Sequence, residues 1–216
     1  MTAKPRILVF ASGSATGGGS GFQKMLEMQH EGVLQADIVG VVSNHGGGGV
    51  VAKTSHFRVP FGHWTGPFTA DGYQKWVRTF EADYVMLSGW LKKVSGLDMA
   101  RTVNIHPGPL PLTRGLYGHH VHERVMAAYR AGEIDASAVN IHFVDDEYDT
   151  GPIAHTVRVE ILSDDTPEAL AARVNACEHV WQSHILNRIV HGAIRLEGRT
   201  VVYDCGIAPA ERALHY

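Results

Sequence analysis

The first half of the chain alternates short apolar runs with segments of helical spacing, and this alternation limits the fold more than any other feature. Ile7-Leu8-Val9-Phe10 leads into a glycine-rich stretch and then into Phe22, Met25 and Leu26 at helical spacing. Ile38–Val42, Tyr84–Leu87 and Thr102–Ile105 are further apolar runs, while Asp71–Phe80 repeats Tyr73, Trp76, Val77 and Phe80 along one helical face. Runs this short, with no polar alternation, suit strands covered on both sides. The pattern predicts βαβ units and a mainly parallel twisted sheet flanked by helices, an α/β fold of Rossmann-like type.

The second half reads differently. Ala136–Val144 and His155–Ile161 are predicted as an antiparallel strand pair joined by a turn at Asp145–Pro152, after a short helix over Glu123–Gly132. The longest helix is expected over Thr166–Val190, with Thr166 as N-cap and Pro167 at the first position. Its apolar stripe would be Ala169, Leu170, Val174, Cys177, Trp181, Ile185 and Ile189. Ser20 is expected to cap the first helix. No repeat or linker breaks the chain, so one domain is expected over 1–204, with 205–216 as a loosely held tail.

Composition excludes several classes of function. The 216 residues are 44% hydrophobic and 19% charged, too apolar for a disordered chain. A net charge of −3 without a basic block gives no electrostatic footprint for nucleic acid. No apolar run approaches the ~18 residues of a membrane span, and no secretory signal is evident. Cys177 and Cys205 form neither a disulfide framework nor a metal knuckle, so reduced thiols in a cytoplasm are expected. Fourteen histidines could carry the charge from −3 to +11 on full protonation.

Three segments carry chemistry. Strand, glycine loop, helix over Arg6–Leu26 is the geometry of an anion site, because bare N–H groups and the helix dipole face the ligand. Gly19 stands where a P-loop needs lysine, and no frame of Gly13–Gly21 gives Gly-x-Gly-x-x-Gly. The second strand ends in Ser43-Asn44 rather than an acid, so a site for one phosphate monoester remains. In Asn104-Ile105-His106-Pro107, alternation puts Asn104 and His106 on the same side of a strand end, followed by a loop stiffened by Pro107, Pro109 and Pro111. In Asp145-Asp146-Glu147-Tyr148-Asp149-Thr150-Gly151-Pro152, Asp145 and Asp146 read as a solvated turn, whereas Asp149 is placed to orient an imidazole. His119, His120 and His122 are too close in sequence to face one ion together, and no metal site is predicted.

These segments resemble the folate-dependent formyltransferases. The likeness rests on Asn104-Ile105-His106-Pro107, Leu110-Pro111-x-x-x-Gly115-Leu116, His142-Phe143-Val144 and Asp149-Thr150-Gly151-Pro152. Gly19-Ser20-Gly21-Phe22-Gln23, Leu87-Ser88-Gly89-Trp90 and Glu178-His179 extend it over about residues 6–203. The resemblance implies a catalytic set of Asn104, a protonated His106 and Asp149. It further implies a ribotide phosphate on the backbone of Gly18, Gly19, Ser20, Gly21 and Phe22, with Glu178 on the ribose hydroxyls. A folate site would be lined by Trp90, Leu91, Lys92, Val94, Val144, Asp145 and Glu147. The implied reaction carries a formyl group from 10-formyltetrahydrofolate to glycinamide ribonucleotide in purine synthesis. It needs no metal, nucleic acid or membrane, and a monomer or homodimer would serve. A sugar-nucleotide amine or water is the alternative acceptor. The chain departs from the family in a longer first loop, in an unfamiliar Trp64–Phe68 stretch and in lacking an arginine near Ala70–Tyr73; Lys24 is the substitute cation considered.

Overall fold

The computed structural model describes residues 3–14, 17–204 and 213–215. β1 (Arg6–Phe10), β2 (Asp37–Ser43), β3 (Phe61–His63), β4 (Tyr84–Leu87) and β5 (Thr102–His106) are parallel neighbours in the order β5-β4-β1-β2-β3. β6 (Ala136–Phe143) and β7 (Ile153–Glu160) continue the sheet beyond β5 as antiparallel strands. The helices are α1 (Ser20–His30), α2 (Gly49–Phe57), α3 (Ala70–Thr79), α4 (His119–Arg130) and α5 (Pro167–Val190). A separate hairpin is formed by β8 (Ile194–Glu197) and β9 (Thr200–Tyr203). Of residues 205–216, the structure describes β10 (Ala213–His215), whose backbone pairs in parallel with Thr156–Arg158 of β7; Cys205 lies outside the described residues.

The uniformly apolar strands are covered on both faces, as their composition requires. Along β1, Ile7 and Val9 enter the cluster under α1, α4 and α5, while Leu8 and Phe10 enter the cluster under α3. All four are fully buried, which stabilises the fold by roughly 1.5–3 kcal/mol each. The smaller cluster is an aromatic stack. Trp64 lies 6.4 Å from Trp90 in a stacked arrangement, and the Trp90 Nε1–H donates to the Tyr73 hydroxyl at 2.9 Å. The unfamiliar Trp64–Phe68 stretch is therefore part of this core, with Phe68 edge-on to Trp64 at 4.8 Å.

Several helix boundaries differ from the sequence reading. Gly19, not Ser20, is the N-cap of α1; its φ of 75° is one that glycine reaches without steric cost. The helix expected from Glu123 starts four residues earlier, at His119, which puts His119, His120 and His122 on its first turn. Thr166 does cap α5, accepting from the Ala169 N–H at 3.2 Å, with Pro167 at its start. Of the expected α5 stripe, Leu170, Val174, Ile185 and Ile189 are buried. Ala169 is exposed, and Cys177 and Trp181 are half-buried. The short β3 and the β8–β9 hairpin carry no apolar run long enough to announce them.

Candidate active site

The strand order reverses between β4 and β1, and the loops at their carboxyl ends diverge there, leaving the crevice in which parallel sheets bind ligands. A cleft of about 430 Å³ opens at this point, lined by Gly13, Ser14 and Gly18–Gly21, by Ser88–Leu91, Asn104–Pro107, Gly115–Gly118 and Asp149, and by the α5 residues Glu178, His179 and Gln182. It joins the three chemistry-bearing segments and Glu178 in one space.

Asn104 and His106 do point the same way from β5, opposite His142 and Asn140 of β6. Asp149 closes the group. Its Oδ2 lies 3.7 Å from His106 Nδ1 and accepts from the Gly115 N–H at 2.9 Å, and its Oδ1 lies 3.5 Å from both His142 Nε2 and Asn104 Nδ2. Burial pushes the Asp149 carboxyl up, but the His142, His106 and Gly115 contacts outweigh it and hold the group below the usual carboxylate range. The Asn104 amide is oriented too. His142 Nδ1 donates to the Phe143 carbonyl at 2.8 Å, which fixes the ring so that Nε2 stands 3.0 Å from Asn104 Nδ2.

His106 departs from the expectation of a charged imidazolium. It is 4% exposed, and burial lowers its pKa to about 4 against the opposing pull of Asp149. The resting ring is neutral at pH 7. Its tautomer follows from Thr113, whose hydroxyl donates to the Pro109 carbonyl at 3.0 Å and so accepts from His106 Nε2–H at 2.8 Å. The lone pair is left on Nδ1, facing Asp149.

The glycine loop packs on the second glycine turn. The Gly49 N–H donates to the Gly17 carbonyl at 3.2 Å, and a Cβ on Gly49 would overlap the Gly18 carbonyl. Lys53 of α2 donates to that same carbonyl at 3.2 Å. A trans peptide has its C=O and the next N–H antiparallel, so holding the Gly18 carbonyl toward α2 turns the Gly19 N–H away from it. Lys24, considered from sequence, is instead bound to Glu27 at 3.1 Å. Gly18, Gly19, Ser20 and Gly21 line the cleft; the Phe22 ring is fully buried in the core, so its contribution is limited to the backbone. Glu178 lines the cleft, and burial raises its carboxyl to about 7.

The residues implied for the folate also meet. Trp90, Lys92, Val94, Val144, Asp145 and Glu147 surround a small adjoining pocket, while Leu91 stands 48% exposed at the mouth of the main cleft. Trp90 is chiefly a core side chain. The Asp145 carboxylate is not the solvated group expected: it accepts from Thr150 Oγ1 at 2.6 Å and from Arg199 at 2.8 Å. Asp146 is exposed, as expected, and accepts from the Gly96 N–H at 3.0 Å. Asp145 and Glu147 each meet a cation of their own, Arg199 and Lys93.

The sequence pattern of the formyl transferase family matches residues 5–186. The chain belongs to the formyl transferase family. It is 34% identical over 208 residues to the chloroplastic phosphoribosylglycinamide formyltransferase of Arabidopsis thaliana, covering 89% of this chain and 68% of that protein. It is 25% identical over 199 residues to the phosphoribosylglycinamide formyltransferase of Bacillus subtilis (strain 168), covering 86% and 94%. Among solved structures, phosphoribosylglycinamide formyltransferase from Coxiella burnetii superposes with a TM-score of 0.79 at 26% identity, over 97% of this chain and 99% of that one.

In this formyl transferase, sequence reasoning missed Thr113, which fixes the His106 tautomer, and the role of Gly115, quoted from sequence only as part of a motif, whose amide holds Asp149. Both lie in a loop with no periodicity, and the signal was the prolines that stiffen it. Among the described residues no group of three or more His, Cys, Asp or Glu is arranged to hold a metal ion, and no helix is long and apolar enough to cross a membrane. His119 pairs with Glu123 and Glu168, and His120 with Glu123.

Proposed function

We propose that this chain transfers the formyl group of 10-formyltetrahydrofolate to the amine of glycinamide ribonucleotide, in the cytoplasmic synthesis of purines. The observation that carries the reading is the continuity of the cleft: an anion-type glycine loop and a buried carboxylate at one end, Asn104, His106 and Asp149 in the middle, and the turn after β6 at the other. A phosphate on the Gly18–Gly21 amides and ribose hydroxyls on Glu178 would bring the amine to the β5 end.

The amine lone pair attacks the formyl carbon, and a C–N bond forms as the carbonyl becomes an oxyanion. Asn104 directs its amide at His142 Nε2 at 3.0 Å and at Asp149 Oδ1 at 3.5 Å, and the N–H on the longer contact is the one that would turn to stabilise that oxyanion. The neutral His106 has a bare Nδ1 able to take the proton that the attacking nitrogen must lose. Asp149, kept ionised, favours the imidazolium that results. The proton then passes to the folate nitrogen as its bond to the formyl carbon breaks, and His106 returns to neutral. In this scheme water is a proton carrier between His106 and the two nitrogens, not the acceptor of the formyl group.

The test is to mix the protein with 10-formyltetrahydrofolate and glycinamide ribonucleotide and follow the deformylated folate, with water alone and an unphosphorylated glycinamide as controls. Turnover with the ribotide well above both controls is expected. Equal release with water alone would overturn the assignment in favour of a hydrolase.

A further inference from the structure

We propose that the C-terminal β8–β9 hairpin belongs to the catalytic apparatus, with Arg199 at its tip acting as a positioning residue for Asp149; the proposal rests on the formyl transfer reading above. Arg199 lies beyond residues 5–186, the part that carries the family pattern. Its Nη2 donates to Asp145 Oδ2 at 2.8 Å and to the Thr150 carbonyl at 3.3 Å. Thr150 Oγ1 donates to Asp145 Oδ1 at 2.6 Å. Arg199, Asp145 and Thr150 thus close a ring of hydrogen bonds across the turn, and Thr150 directly follows Asp149.

Asp149 needs such a hold. Its φ of 53° places a non-glycine residue in the left-handed region, at a cost of order 1 kcal/mol or more, which persists only where the surroundings enforce it. The rest of the turn is fastened from other directions: Lys93 to Glu147 at 3.1 Å, the Gly96 amide to Asp146 at 3.0 Å, and the Phe143 N–H to the Pro152 carbonyl at 2.9 Å. Arg199 fastens the side nearest Thr150. An exposed ion pair alone contributes little to stability. Asp145 is only 17% exposed and is shared with Thr150, so losing Arg199 loosens the geometry of the turn.

The decisive control lies in the same hairpin. Arg195 pairs with Asp204 at 2.8 Å and with Glu197 at 3.1 Å, and both partners lie within or beside the hairpin itself. R199A, R199K and R195A should be compared with the unaltered chain. R199A is expected to lower kcat roughly tenfold or more, the scale of a small misplacement of a reacting group. The KM for the ribotide should be unchanged, because its phosphate loop is at the far end of the cleft. R199K should recover part of the loss, and R195A should match the unaltered chain. Amide hydrogen exchange over residues 144–151 should quicken in R199A and not in R195A. Equal behaviour of R199A and R195A in kcat and exchange would overturn the proposal. Should R199A fail to fold, R199K and D145N carry the same comparison. Should the unaltered chain transfer no formyl group, the assigned reaction fails, while the exchange comparison still decides whether Arg199 braces the turn.

Discussion

Glu178→Gln sets stability against function at one atom. The carboxyl of Glu178 is raised from 4.5 to about 7 by burial, with a single opposing hydrogen bond from Asn175 at 3.3 Å. A rise of that size corresponds to about 3 kcal/mol of cost for holding the charge, and partial access from the cleft reduces this to roughly 1–3 kcal/mol. The unfolded chain releases this proton near pH 4.5, whereas the folded chain keeps it until about pH 7. Between those values the folded state binds more protons, so stability falls as pH rises through the window. Glutamine keeps an oxygen for Asn175 and carries no charge. The variant should therefore match the unaltered chain near pH 4.5 and exceed it at pH 8, by roughly 3–8 °C in melting temperature for a domain of this size. The ribotide should then bind on the order of ten- to a hundredfold more weakly, since a charged acceptor for its ribose hydroxyls is gone. Melting curves from pH 4.5 to 8, with and without ribotide, test both halves. A stability gap independent of pH would refute the argument from burial, and unchanged ribotide affinity would remove Glu178 from the binding site.

His106→Ala and Asp149→Asn should each lower kcat by at least ~10²-fold with the fold retained by circular dichroism; near-native turnover in either would remove that residue from the mechanism. Thr113→Val keeps the shape but leaves the His106 Nε2–H without its acceptor, so a loss of roughly 1–3 kcal/mol in denaturant unfolding is expected, together with a shifted imidazole tautomer by nitrogen NMR. Gly19→Val places a branched side chain at φ 75° against Val50, where a Cβ would already approach Cγ2 to 2.9 Å. It should raise KM for the phosphorylated substrate much more than for the folate, and an equal rise for both would indicate general damage to the cleft.

The parallel half of the sheet was legible because burial on both faces leaves no room for polar residues, and that requirement is written residue by residue in Ile7–Phe10 and Tyr84–Leu87. Asn104, His106 and Asp149 were legible as candidates because strand alternation and a proline-stiffened loop fix directions locally. The start of α4 was misread since His119 and His120 have no apolar periodicity; Gly118 and the Glu123 pairings set that boundary instead. The Ser20 cap was misread for a related reason: a hydroxyl signals a cap only where the backbone is extended, and here Gly19 turns the chain in a left-handed conformation first.

The charge state of His106 shows what local reading leaves out. From sequence, a carboxylate beside an imidazole argues for a raised pKa, and that attraction exists here across 3.7 Å. It is outweighed by desolvation, which depends on β6, the 107–118 loop and α4 closing around β5, contacts that no short window contains. Thr113 sets the tautomer rather than the charge: its hydroxyl accepts from the Nε2–H and leaves Nδ1 bare toward Asp149. The same long-range closure explains the acidic turn. Asp145, Asp146, Glu147 and Asp149 would repel one another in isolation, yet each meets its own partner from Arg199, Gly96, Lys93 or the His106–His142–Gly115 group. A turn fixed from so many directions keeps Asp149 ionised 3.7 Å from a neutral imidazole, the arrangement that the proposed transfer requires if His106 is to accept a proton in one half and return it in the other.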